Sequence, residues 1–324
     1  MNAYIEKENL RSIIKQRNDD RYDECKRMLK RNLCLHFPFS KKEAFEDPLI
    51  WNWLTKELTS GTSSKKPEWE SKDPDLDYEL SREGMTLDKL CAIYLLNDDD
   101  PQPLSNAMLV GNYGSELDTL MRLFVIPEDA EYKYDFSVSR MKSWNVMKPY
   151  VTPCTDLLIV DRYILSKAYL YERNLYRLIK VFVSETKSLK INIVIVVEFG
   201  SIDTISLDDI SEKIKSFVEE IVGEEPNVTF VLCKKRSRDA LFHDRCILTN
   251  YRFVDSGDSL NYFDREGNLQ TGGFKLSISS LANPSDYVQR IIQSEVLSRI
   301  NHEVRNAVNI KGDKKSGFIS FNKK

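Results

Sequence analysis

The segment Phe242-His243-Asp244-Arg245-Cys246-Ile247-Leu248-Thr249-Asn250 carries the residue types in this chain best suited to chemistry. Phe242 to Thr249 reads as a strand, and residues two apart on a strand share a face. His243 and Arg245 therefore point one way, while Phe242, Asp244 and Cys246 point the other. An imidazole beside a guanidinium suits a phosphate. Arginine offers a planar, charge-assisted fork to phosphate oxygens. Histidine can attack phosphorus or shuttle a proton. A neighbouring guanidinium also favours the neutral, nucleophilic imidazole. His36 and His302 are the only other histidines, and neither has such neighbours.

The spacing beyond this segment resembles a known pattern. Phospholipase-D-like proteins carry His-x-Lys, then four residues, an Asp, six residues, and Gly-Ser-x-x-Asn. Here His243 and Arg245 are followed at those intervals by Asn250, Gly257, Asp258 and Asn261. Arg245 stands for Lys, Asn250 for Asp and Asp258 for Ser. Phe-His-Asp-Arg-x-Ile, Asn250, Gly257 and Leu260-x-Tyr262-Phe263 are similar to one branch of that superfamily. This branch is the C-terminal domain of eukaryotic MIT-domain-containing cytokinesis proteins, with its bacterial relatives. Asp161-Arg162-Tyr163-Ile164 is similar to the end of the first strand in the same group. The resemblance covers about residues 150–283 and does not reach residues 1–100.

The resemblance implies a His243 nucleophile, with Arg245, Asn261 and Asn250 at the phosphate and Gly257 supporting the motif. Catalysis in the superfamily also needs a second motif copy. With one motif per chain, it requires a homodimer that brings two His243 residues face to face. No cofactor is implied. Nucleic acid or another phosphodiester is the expected ligand, and the bacterial relatives suggest a setting in phage defence. The eukaryotic domain implies the alternative, a non-catalytic module that docks on a membrane surface or a protein. Loss of the motif Lys and Asp favours binding over catalysis.

Other residues have two readings each. Asp161, at a strand carboxyl end, either orients a site residue or serves as a cap or ion-pair partner. Asp244, on the opposite face, reads as structural. Lys234, Lys235, Arg236 and Arg238 form either a patch that guides a polyanion or a solvated loop. Gly111-Asn112-Tyr113-Gly114-Ser115 reads as a tight turn rather than a phosphate cradle. Trp51, Trp53 and Trp69 read as packing residues.

The elements that must position the motif alternate. Asp156–Val160, 191–199 and 228–233 read as buried strands, with amphipathic helices at 166–184 and Leu207–Val222 between them. This order predicts an α/β fold with a largely parallel sheet flanked by helices. Short strands follow at 242–249, 252–254 and 274–278, then a closing helix to about Val308. Residues 103–310 are expected to form the domain that resembles phospholipase-D-like proteins, and 311–324 a mobile basic tail.

Residues 1–102 read as a helical region, including a helix at 87–96 and a cap at Ser40. Its first 66 residues hold 14 basic and 10 acidic side chains, and residues 67–102 hold 3 and 11, an acidic connector. A protein partner could dock on the basic helices. Over all 324 residues, 47 basic against 50 acidic side chains argue against a globally basic nucleic-acid binder. Six cysteines without a CxxC pair fit reduced thiols and no zinc site, and no metal-ligand cluster is visible. No apolar run is long enough to span a membrane, and the charged N-terminus is unlike a secretory signal. A cytoplasmic protein is expected.

Overall fold

Asp156–Val160, Asn192–Glu198 and Asn227–Cys233 are rich in β-branched and aliphatic residues and lack the polar alternation of a half-exposed strand. Such runs belong in the middle of a sheet covered on both faces. A computed structural model places them there; it describes residues 2–15, 23, 26–27, 29–31, 33–56, 66–72, 91–95, 133–137, 141–187, 190–201, 206–234, 245–270, 275–281 and 287–321. In chain order the elements begin with β1 (Asn2–Ile5), α1 (Lys7–Lys15), β2 (Cys34–His36), α2 (Lys41–Phe45), α3 (Pro48–Lys56) and β3 (Ile93–Leu95). Then come β4 (Lys133–Ser137), a 3₁₀ turn at Trp144–Tyr150, β5 (Asp156–Val160), α4 (Tyr176–Val183), β6 (Asn192–Glu198) and α5 (Leu207–Val222). The last are β7 (Asn227–Cys233), β8 (Arg245–Thr249), β9 (Arg252–Ser256), β10 (Lys275–Ser280), α6 (Tyr287–Arg305) and β11 (Asn309–Gly312).

The main sheet has eight strands in the order β11-β7-β6-β5-β8-β9-β10-β4. Its centre, β7-β6-β5, is parallel, as the alternation of strands and helices predicts. β8 joins β5 antiparallel and starts a meander through β9 and β10. The fold is therefore mixed α/β, with a large sheet flanked by helices. Helix α5 carries its own punctuation: Ser206 caps it, Asp208 and Asp209 sit in its first turn, and Gly223 ends it at φ +90. Strand alternation divides the core. Leu157, Ile159, Ile193 and Ile247 pack with α4, α5 and Trp144. Leu158, Val160, Val194 and Cys246 face the other way, against the N-terminal region and α6.

Two expectations change. The N-terminal region is not purely helical, because β1, β2 and β3 form a three-stranded parallel sheet in the order β2-β1-β3. Ile93-Tyr94-Leu95, expected within a helix, instead pairs with Ala3-Tyr4-Ile5. A partner strand outweighs the weak helical spacing there. The Ser40 cap does form, as a capping box with Glu43. Trp53 and Trp69 pack against the core of this region, which is continuous with the sheet face. Tyr251 donates to the Ala92 carbonyl at 2.7 Å and pins the two parts together.

The chain end is the second correction. Instead of a mobile tail from Lys311, β11 adds to the sheet edge antiparallel to β7. Phe318 and Ile319 are then buried in the core. Lysines mask this role in the sequence, because they alternate with a strand edge and two apolar anchors.

Candidate phosphate site at the strand ends

β5, β6 and β7 are parallel, so their carboxyl ends lie on one edge of the sheet, where α/β folds gather ligands. Asp161 follows β5 at that edge, and its amide donates to the Val196 carbonyl at 3.1 Å. Its carboxylate is fully buried. The Tyr163 amide donates to it at 2.7 Å, and the Ser259 hydroxyl lies 3.0 Å from each oxygen. The Leu260 amide makes a further short bond. Burial raises the Asp161 pKa, opposed by the Leu260, Tyr163 and Ser259 hydrogen bonds and by the charge of Arg245. The aspartate is thus the anchor that pulls the 258–263 segment onto the end of β5.

Arg245 opens β8. Val160 pairs with Cys246, so the antiparallel register sets Arg245 across from Asp161. Arg245 is half-buried, and its Nε is buried without a hydrogen-bond partner among the described residues. It acts on Asp161 through space, since the aspartate oxygens are already occupied. Asn261 lies on the same segment as Ser259. Its Nδ2 donates to the Tyr163 carbonyl at 2.7 Å, and its buried Oδ1 has no partner among the described residues. The structure therefore brings Asp161, Arg245 and Asn261 to one place. Lys234, the first residue beyond β7, is exposed at the same edge. Gly257 is exposed in the bend after β9.

Asn250 is not brought there. β8 is five residues long, so Asn250 lies roughly 17 Å from Arg245, at the opposite sheet edge. It is fully buried, and its Oδ1 accepts from the amides of Thr155 and Asp156, each at 3.1 Å. Its Nδ2 donates to Thr155 Oγ1 at 2.9 Å. This amide holds the start of β5 to the end of β8 and cannot reach a phosphate at Arg245. His243, Asp244, Lys235, Arg236 and Arg238 lie outside the described residues. So does the Gly111–Ser115 turn.

Sequence reasoning missed Ser259 and the Arg162–Glu198 pair. Arg162 Nε meets the buried Glu198 carboxylate at 2.5 Å, at the end of β6. A glutamate closing the most apolar strand was the available signal, since a buried carboxylate demands a partner. Among the described residues no group of three or more His, Cys, Asp or Glu could hold a metal ion. No helix among them is long and apolar enough to cross a membrane.

No family model matches the chain, and no curated protein matches it. Among solved structures, the chain is similar over 60% of its length to a polyphosphate kinase from Porphyromonas gingivalis. The identity is 9%, the TM-score is 0.28, and the matched part spans 35% of that kinase. At that distance the likeness assigns no residue a role.

Proposed function

We propose that the chain is a phospholipase-D-like phosphodiester-binding protein that acts on nucleic acid, with phosphate held at the strand ends by Arg245 and Asn261. One observation carries this reading. Arg245 keeps a buried N–H without a partner among the described residues, beside a carboxylate whose oxygens are already saturated. Leaving a buried donor unmade costs about 1–3 kcal/mol, and a phosphate oxygen would recover that cost. Asp161 positions the Asn261 segment and does not compete for the guanidinium.

In the catalytic form of this proposal, His243 attacks phosphorus and forms a phosphohistidine. The bond to the leaving oxygen breaks with its electron pair, and the partner subunit's His243 protonates that oxygen. Water then hydrolyses the phosphohistidine. Arg245, with the Asn261 Nδ2 hydrogen not given to the Tyr163 carbonyl, holds the non-bridging oxygens throughout.

The test incubates the purified protein with single- and double-stranded DNA and RNA in EDTA, beside His243→Ala, with the oligomeric state measured by light scattering. Cleavage by a dimer that the substitution abolishes supports the catalytic form. Binding without cleavage by a verified dimer leaves a phosphodiester binder. Absence of both binding and cleavage contradicts the proposal.

A further inference from the structure

Away from the strand ends, a recess of about 630 Å³ opens between the 3₁₀ turn, α4 and α5. Trp144 and Phe217, both buried, form its floor. Four cations surround it: Lys148 from the 3₁₀ turn, Arg177 and Lys180 from α4, and Lys213 from α5. Among the described residues that line it, Glu172 is the single carboxylate, and it is already paired with Lys213 at 3.2 Å. Lys148, Arg177 and Lys180 make no ion pair among the described residues. Arg177 and Lys180 are three apart on one helix face, a like-charge placement that costs helix stability.

The cations continue in one direction. A smaller recess of about 50 Å³ adjoins the first through Ser143, Trp144 and Arg177, and adds Lys142 and Arg173. It ends at Phe263. A one-turn π-bulge at Tyr171–Leu175 makes this junction. Its buried Asn174 bonds the Phe263 backbone in both directions, each at 2.9 Å. Phe263 lies two residues beyond Asn261. The row of cations along α4 thus leads to the segment that carries the strand-end site.

We infer that this recess holds the sugar–phosphate backbone of a single-stranded nucleic acid and leads it toward Arg245. The inference deepens the function proposed above and rests on it for the destination of the strand. The recess is open to solvent and rimmed by charge, unlike the mostly apolar pockets that enclose small molecules. It is too small to admit a duplex, whereas a flexible strand can thread it. Its aromatic rings offer bases little surface. Lys180 lies 4.9 Å from the Phe217 ring centre, and Lys213 lies 5.1 Å from that of Tyr176. Contacts therefore go to phosphates, which gives binding with little sequence preference.

The experiment measures fluorescence anisotropy of a labelled 20-nucleotide oligothymidylate with the full chain, in EDTA, across a salt series. Each lost phosphate contact lowers the single-strand salt slope by about 0.7. The Arg177→Ala/Lys180→Ala double variant should therefore bind about 25-fold more weakly at 0.1 M salt, if affinities converge near 1 M. The charge-preserving Arg177→Lys/Lys180→Arg variant should bind like the parent, which separates charge from folding. An unchanged affinity and slope in the double alanine variant overturns the inference. Loss of affinity only in Arg245→Ala also overturns it, and leaves the strand-end site standing. Loss only in the groove variant supports the groove and removes Arg245 as a phosphate ligand. Inorganic tripolyphosphate that displaces the oligonucleotide at equal phosphate concentration would mark a small-anion pocket and overturn the strand assignment.

Discussion

β5 has a buried aspartate at each end, and the two ends differ in how their polar groups are satisfied. At the amino end, Asp156 accepts from the Gly317 amide at 2.6 Å, Thr155 Oγ1 at 3.1 Å and Asn192 Nδ2 at 3.3 Å. Asn250 closes that network, and Asn227 extends it through Asn192 at 2.8 Å. The carboxyl end also has a saturated aspartate, Asp161. There, however, Arg245 Nε and Asn261 Oδ1 are buried without partners among the described residues. Satisfied buried networks specify a fold, whereas a buried donor without a described partner beside a fixed anchor calls for an explanation, and the proposed phosphate supplies one. The amino end thus locks the sheet, and the carboxyl end is where the proposed phosphate site lies.

The sharpest way to break this contrast is Asn250→Ala. It strands the Thr155 and Asp156 amides, at about 1–3 kcal/mol each, so the urea midpoint should fall severely. Folded protein should keep its phosphodiester affinity; an affinity loss with stability intact would place Asn250 at the ligand after all. Next is pH. Burial pushes the Asp156 pKa up to about 7. A folded pKa above the unfolded one gives stability that is present below about pH 4 and lost as pH rises through 7. Denaturant titrations should show that loss, and Asp156→Asn should flatten it. A slope unchanged by the substitution would remove Asp156 as its source.

At the carboxyl end, Arg245→Ala should weaken binding of the dinucleotide thymidylyl-thymidine about 10- to 100-fold, the worth of a charged hydrogen bond. It should change stability little, because no described residue bonds to Nε. A large stability loss without a binding change would make Arg245 structural. The smallest effect is expected from Ser259→Ala, about 1 kcal/mol in the denaturation midpoint. Loss of that donor should also raise the Asp161 pKa further, measurable by carboxyl-carbon NMR.

The central elements were legible because their signals were local. Asp156–Val160 and Leu207–Val222 appear with the bounds that composition and capping predict. The short strands β1 and β3 were not, because three or four residues acquire strand character only from each other. Asp161, Arg245 and Asn261 were legible as site candidates; the antiparallel register sets Arg245 across from Asp161, and the Ser259 and Leu260 bonds to Asp161 bring in Asn261. Asn250 was misplaced by motif spacing alone, although a five-residue strand after Arg245 already puts residue 250 at the far edge. Glu198 and the cations of α4 escaped notice because each reads, singly, as an ordinary charged position on its element.

The most direct test of the proposed phosphate site observes the Arg245 Nε–H itself. In arginine-labelled protein, its ¹⁵N–¹H signal is assigned by its disappearance in Arg245→Lys and followed during titration with thymidylyl-thymidine, a phosphodiester too short to need the groove. A new hydrogen bond to phosphate predicts a saturable downfield proton shift confined to that signal among the arginines. A static Arg245 signal while the dinucleotide binds, or while other arginines shift, would contradict the assignment of the strand ends as the phosphate site.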